Sequence, residues 1–269
     1  MDSIIGILTD FGEQDIYVSS MKAVILSINP CTRIVDISHD IPRGDIETAS
    51  FEIENIFSLF PEGTIFLAIV DPGVGSERKG IIVVSGGYTL VGPDNGIFSS
   101  FSRKGNSFVE INKSQYFRKP VSNTFHGRDI FAPVAAHLSL GKKPSSFGTL
   151  INHITVLERK EPTVTEKGLN GSIIHIDRFG NLISNIKLSV FSDYTQSTPF
   201  EICFKKYTIK KTHSTYGEGG TSPIALFGSN GYLEISVKDG NAKETLHAKK
   251  GDTIIIKKVK KVESGGKNV

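Results

Sequence analysis

The chain has 269 residues, 38% of them hydrophobic, and 31 basic against 28 acidic side chains give a net charge of +3. That length holds one large domain or two ordinary ones with real cores, and no uninterrupted apolar stretch approaches the roughly 20 residues of a membrane helix. Cys31 and Cys203 share no CxxC or Cys/His spacing, and Met1-Asp2-Ser3 opens no secretory signal, so a reduced, cytoplasmic protein is expected.

Ile4–Leu8 reads as a strand ending at Thr9-Asp10. Tyr17, Met21, Val24, Ile25 and Ile28 then recur at helical spacing and stop before Pro30. Ile34–Ile37 predicts a second strand. Ile46 to Phe60 carries one apolar helical face, capped by Asp45 and stopped by Pro61. Ile65–Val70 is a third strand, closed by Asp71, and Ile81–Val84, Tyr88–Val91 and a helix from Asp129 to Leu140 follow. Strands alternating with helices predict an N-terminal α/β domain, residues 1–155, with a largely parallel sheet.

Beyond about residue 155 the texture changes. After a polar stretch come Gly171–Ile176, Leu182–Ile186, Phe200–Phe204, Ile224–Phe227, Tyr232–Val237 and Thr253–Lys258, mostly separated by Gly, Asn or Asp. With helical periodicity scarce, the pattern predicts a small C-terminal β-barrel over 168–263. Charge divides too: residues 1–150 hold 13 basic and 16 acidic side chains, the remainder 18 and 12. The basic excess lies in diffuse pairs such as Lys205-Lys206 and Lys257-Lys258, which suit a solvated face better than a nucleic-acid groove.

Ligands of open α/β sheets bind beyond the carboxyl ends of the strands. Asp10 and Asp71 both stand there; one such Asp can merely cap a helix, but two in one sheet point towards a site, and a carboxylate suits the paired hydroxyls of a ribose. Asp71-Pro72-Gly73-Val74-Gly75-Ser76-Glu77-Arg78 is no phosphate-binding loop, since Gly-Lys-Ser/Thr is missing. It is either an ordinary turn or a device that brings Arg78 back over Asp71. Pro93-Asp94-Asn95-Gly96 reads as a tight turn. His126, just before a helix, is either a surface residue or a neutral imidazole poised to accept a proton. Asp177-Arg178-Phe179-Gly180-Asn181 and Gly228-Ser229-Asn230-Gly231 read as hairpin turns, or together with Tyr216 as contacts for a small, flat, polar ligand.

In their order, Thr9-Asp10-Phe11-Gly12, Met21-Lys22-Ala23-Val24, Asp71-Pro72-Gly73-Val74-Gly75 with Arg78, Gly92-Pro93-Asp94-Asn95-Gly96, Thr124-Phe125-His126-Gly127-Arg128-Asp129, Asp177-Arg178-Phe179-Gly180-Asn181 and Gly228-Ser229-Asn230-Gly231-Tyr232-Leu233-Glu234 resemble the S-adenosyl-L-methionine (SAM) hydroxide adenosyltransferases, relatives of the SAM-dependent fluorinase and chlorinase. The resemblance covers nearly the whole chain. It implies hydrolysis of SAM to adenosine and L-methionine, without cofactor or metal, by a homotrimer whose sites are shared between subunits. By position it implies a catalytic trio of Asp71, Arg78 and His126, with Arg78 binding the attacking water and His126 either taking its proton or positioning it. Asp10 would hold the ribose, Asp177 and Asn181 polar parts of the substrate, Tyr216 the adenosine, Ser229 the methionine carboxylate, Glu234 the amino acid and the Val237 backbone the adenine. The halogenating relatives lack the trio, and the fluorinase carries an insertion where Ser85-Gly86-Gly87-Tyr88 here runs straight on. A halogenase, a metal-dependent phosphoesterase using Asp10, Asp71, Asp94 and His126, and a non-catalytic nucleoside-binding module are the alternatives.

Overall fold

A computed structural model describes residues 3–220 and 222–259. By its internal contacts the chain divides into two compact units, 1–158 and 159–269. Of the barrel span expected from the sequence, residues 260–263 lie outside the described residues.

In the first unit, β1 (Ile4–Thr9), β2 (Arg33–Ser38), β3 (Ile65–Ile69), β4 (Gly80–Ser85), β5 (Tyr88–Pro93), β6 (Ser107–Ile111) and β7 (Gly148–Ile151) form one sheet in the order β2-β1-β3-β5-β4-β6-β7. The β2-β1-β3-β5 half is parallel, while β4, β6 and β7 extend it antiparallel. The antiparallel half begins there because the two-residue Gly86-Gly87 link permits only a hairpin between β4 and β5.

Helices α1 (Tyr17–Ile28) and α3 (Ala132–Ser139) cover one face, burying Met21, Ile25, Val134 and Ala135 against Ile5, Ile7, Leu67 and Ile69. Helix α2 (Ile46–Ile56) covers the other, placing Ala49 and Ile53 against Leu8, Phe66 and Ala68. Asp45 caps α2 as expected, accepting from the Thr48 amide at 3.0 Å. The helix stops short of Phe60, passing through a 3₁₀ turn at Phe57–Leu59, because the residue before Pro61 is forced into an extended conformation.

The second unit holds β8 (Thr163–Thr165), β9 (Gly168–Ile176), β10 (Leu182–Lys187), β11 (Phe200–Phe204), β12 (Tyr207–Ile209), β13 (Thr212–His213), β14 (Ile224–Phe227), β15 (Tyr232–Ser236) and β16 (Thr253–Lys258). They form a nearly closed, barrel-like sheet, antiparallel except for β13 on β14, around a core that includes Leu169, Leu182, Ile202, Leu233 and Ile254. Two short helices, α4 (Leu188–Thr195) and α5 (Ala242–Thr245), add Phe191 and Ala242 to that core and were not foreseen. The fold is thus α/β followed by a β-barrel. Among the described residues no helix is long and apolar enough to cross a membrane.

Candidate active site

The polar residues at the carboxyl end of the first unit's parallel strands converge through backbone shape. Asp71 leaves β3 and enters a turn whose Gly75 adopts φ +80°, and a Cβ there would lie 2.4 Å from the Asn123 carbonyl oxygen. Only glycine lets the Asp71 turn and the loop before His126 approach so closely. The Ser76 hydroxyl closes the same turn on the Gly73 carbonyl at 2.7 Å. Asn95 braces it from below, donating its amide to the Val70 carbonyl at 2.8 Å. The Pro93–Gly96 segment therefore does structural work, as its sequence suggested.

These constraints place Arg78 over Asp71. Its Nε donates to Oδ1 at 2.9 Å and its Nη2 to Oδ2 at 2.5 Å, a two-point clamp with side chains only 11% and 5% exposed. The guanidinium lies 5.2 Å from the Phe131 ring centroid. That ring packs against bare backbone: a Cβ on Gly80 would meet Phe131 at 2.7 Å. Arg78 Nη2 also donates to His126 Nδ1 at 2.8 Å.

That last bond fixes the histidine. A guanidinium has no acceptor, so Nδ1 must accept, and the proton of the neutral imidazole resides on Nε2. Burial first, and Arg78 second, hold the His126 pKa below its ordinary value and keep the ring neutral. His126 thus offers an N–H donor at Nε2.

His126 precedes a π turn at Gly127–Phe131 that runs directly into α3. The sequence suggested a plain helix from Asp129. Pro133 has no N–H for the Asp129 carbonyl four residues earlier, and that oxygen instead accepts the Arg118 amide at 2.8 Å. The fully buried Asp129 side chain gathers Arg128 Nε at 2.7 Å, Arg118 Nη1 at 3.1 Å and the Ser122 amide at 2.9 Å. These bonds tie residues 118–122 to the turn that carries His126.

A cavity of about 190 Å³ opens against this chain, with Asp71 and His126 on its polar side and Phe11, Tyr17, Val74 and Phe125 on its apolar side. Phe11, Tyr17 and Phe125 pack edge-to-face or tilted, with centroids 5.2 to 5.9 Å apart. Arg78 does not line the cavity; it bridges Asp71 and His126 from behind. Asp10 stands next to Phe11 at the end of β1. Its Oδ2 accepts the Gly44 amide at 2.8 Å, and a methyl on Gly44 would lie 3.9 Å from Pro72 Cβ, so the two strand-end aspartates belong to adjacent loops.

In the second unit Asp177 and Asn181 form a closed turn. The Asn181 backbone amide donates to Asp177 Oδ1 and its side chain to Oδ2, both at 2.8 Å, while its Oδ1 accepts from Ser236 at 2.7 Å. Gly180 there has φ +84° and passes so close to Asn241 that a Cβ would clash. Tyr216 donates its hydroxyl to Glu234 Oε2 at 2.8 Å. Burial and Glu234 push the Tyr216 phenol up to about 12. Burial also raises the Glu234 carboxyl, against the Tyr216 hydrogen bond and with help from Asp177. Gly228 is what admits Glu234, because a Cβ there would overlap Oε1. Ser229 is exposed at the tip of the β14–β15 turn, and the Val237 carbonyl accepts the Gly240 amide at 3.2 Å. Phe179, in the Asp177 turn, is 75% exposed.

The residues that sequence reasoning missed are ones that position others: Phe131, Asn123 and Ser236. Among the described residues no three His, Cys, Asp or Glu side chains gather as a metal-holding group.

The chain matches two family models, the SAM hydroxide adenosyltransferase N-terminal domain over residues 5–148 and its C-terminal domain over 171–255. It is 35% identical to an (R)-S-adenosyl-L-methionine hydrolase of Thermus thermophilus, with 91% of this chain and 95% of the relative covered. Against a protein of the same description from Methanocaldococcus jannaschii it is 37% identical, covering 94% and 95%. Fluorinases stand further off, that of Nocardia brasiliensis at 26%. A crystal structure of an uncharacterized conserved protein from Thermotoga maritima superposes with a TM-score of 0.87 at 34% identity, covering 94% of this chain and 99% of that one.

Proposed function

The chain belongs to the SAM hydroxide adenosyltransferase family, and from that premise we propose that it hydrolyses S-adenosyl-L-methionine to adenosine and L-methionine. The observation that carries the reading at the level of chemistry is the unbroken Asp71–Arg78–His126 hydrogen-bonded chain beside a cavity. A sulfonium leaves as a neutral thioether, so the reaction needs no acid at the leaving group. It needs a held nucleophile, because water, with a pKa of about 15.7, is poor at neutral pH.

The proposed water sits between Asp71 and His126. His126 donates to it from Nε2–H and fixes its orientation. His126 does not take the proton, since its one lone pair is already bonded to Arg78. Asp71 keeps acceptor capacity beyond its two bonds to Arg78 and receives the proton as the oxygen attacks the ribose 5′-carbon in line with the departing sulfur. Arg78 holds both groups at their angles. This revises the sequence reading in which Arg78 itself bound the water. Positioning supplies much of the acceleration.

Asp10 holds the ribose hydroxyls. Asp177, oriented by Asn181, and Glu234, oriented by Tyr216, face the cationic part of the substrate; Tyr216 also flanks the adenosine, Ser229 meets the methionine carboxylate and the Val237 backbone the adenine. The two carboxylates have no ion-pairing cation among the described residues, which suits a substrate carrying a sulfonium and an ammonium. We further propose that the site is completed by a neighbouring copy in a homotrimer: about 190 Å³ is less than the roughly 300 Å³ at which ligand pockets usually begin. The free thiols Cys31 and Cys203 fit a cytoplasmic setting. We propose no metal and no cofactor.

The test is chromatography of purified protein with SAM in chloride-free buffer containing EDTA. Adenosine and methionine in equal amounts are expected. 5′-Chloroadenosine on adding chloride, with no adenosine before it, would assign the chain to the halogenating branch. Activity abolished by EDTA would favour the phosphoesterase-like alternative, and no product under any condition a binding module.

A further inference from the structure

A second hydrogen-bonded chain runs beneath Asp10 and takes no part in the chemistry above. His39, 4% exposed, follows β2 and reaches across to β1. Its Nε2 lies 3.1 Å from Asp36 Oδ1 and its Nδ1 2.8 Å from the hydroxyl of the fully buried Thr9. Lys22 Nζ donates to the other Asp36 oxygen at 2.6 Å. Although burial opposes it, the bonds from Lys22 and His39 hold the Asp36 carboxyl below its ordinary value, so Asp36 is an acceptor. Nε2 must then donate, and in the neutral ring Nδ1 accepts the Thr9 hydroxyl. The Thr9 oxygen in turn accepts the Phe11 amide at 3.3 Å, and the His39 carbonyl accepts the Gly12 amide at 2.8 Å.

His39 therefore grips the Asp10 loop on both sides, through the Thr9 hydroxyl before Asp10 and through the Gly12 amide, at φ +67°, after it, with the Phe11 amide tied back to Thr9. Asp10 lies between the two grips. With Oδ2 spent on the Gly44 amide, Oδ1 remains for a ligand, and its direction depends on this loop.

We propose that His39, with Thr9 and Asp36 on either side of it, is a positioning residue that aims Asp10 at the ribose diol and so determines selectivity for ribose over deoxyribose substrates. The inference rests on the reading of Asp10 as the ribose-holding carboxylate. It departs from a purely structural role for a buried histidine in one measurable way: loosening the loop costs only those substrates whose hydroxyls Asp10 grips.

The experiment compares kcat/KM for SAM and for its 2′-deoxy analogue in wild type, Thr9→Val, Thr9→Ser, His39→Gln and Asp10→Asn, with thermal melts on each variant. Wild type should prefer SAM. In Thr9→Val and His39→Gln, kcat/KM for SAM should fall about tenfold to a hundredfold, the range for leaving a buried polar partner unpaired, while that for the deoxy analogue falls less than about threefold. Thr9→Ser, which keeps the hydroxyl, should preserve the preference. Equal losses on both substrates, with wild-type selectivity intact, would overturn the positioning role and leave Asp10 in place. Wild type treating the substrates alike, or Asp10→Asn keeping the wild-type preference, would instead overturn the assignment of Asp10 itself, and this inference with it.

Discussion

Two pairs of carboxylates, one pair in each unit, are held in opposite ways. In the first, Asp71 is clamped by Arg78, and Asp129 by Arg118 and Arg128, so each of these two acids has a cation of its own. In the second, Asp177 and Glu234 are held by Asn181 and Tyr216, neutral donors that orient a charge without cancelling it. Cations within the fold make a carboxylate part of a rigid frame. Neutral donors leave it electrostatically unsatisfied, and burial then raises Glu234 rather than lowering it. The contrast separates carboxylates locked into the frame from carboxylates whose charge the fold leaves uncancelled.

The contrast breaks most visibly at Arg78. Arg78→Ala leaves Asp71 buried without its partner and His126 without a fixed tautomer. A loss of about 10³-fold in kcat is expected, with about 3–5 kcal/mol of destabilisation measurable by urea denaturation. Gly75→Ala leaves every functional group present but drives a Cβ into the Asn123 carbonyl, separating the two loops. Steady-state kinetics should show kcat lower by about 100-fold, the scale of a displacement of about 1 Å, and little change in secondary structure by circular dichroism.

The neutral His126 sets an acid limit. Because its pKa is lowered from 6.5, kcat/KM should be level above that value and fall by about tenfold per unit only once pH drops below the lowered pKa. Its stability contribution has the same direction: the unfolded chain binds the proton more readily, so stability falls as pH drops through 6.5 towards the folded pKa and levels off below it. A pH–rate profile with its acid limb above 6.5 would break the assignment.

Tyr216→Phe probes the other region and should have the smallest effect. Glu234 loses its donor, KM rises by about fivefold to tenfold, and kcat changes by less than about threefold, as expected of a group that binds ground and transition states alike. A dominant kcat effect there would erase the distinction between the units.

Much of this was legible in one dimension. Strand ends at Asp10 and Asp71, the Asp45 cap and the stop at Pro61 depend on neighbours in sequence. The antiparallel half of the first sheet was harder to see, since β6 and β7 are short strands whose pairing is decided by partners distant in sequence, as Phe108 with Ile151. Helix α4 was hidden for a related reason: it is short and packs through Phe191 into a core made mostly of strands. At the site, the residue types that carry chemistry stood out, whereas those that hold them did not. Nothing near Gly75 announces that Asn123 will press against it, and nothing in the His126 segment says that Arg78 will occupy Nδ1 and change a possible base into a donor.

In the proposed reaction, water held by Asp71 and His126 attacks C5′ directly. The most direct measurement is a single turnover in oxygen-18 water with enzyme in excess over SAM, followed by mass analysis of the adenosine. Direct attack predicts heavy oxygen at the 5′ position from the first turnover. Adenosine carrying ordinary oxygen would mean that a protein carboxylate attacked first, and would rule out direct attack by water.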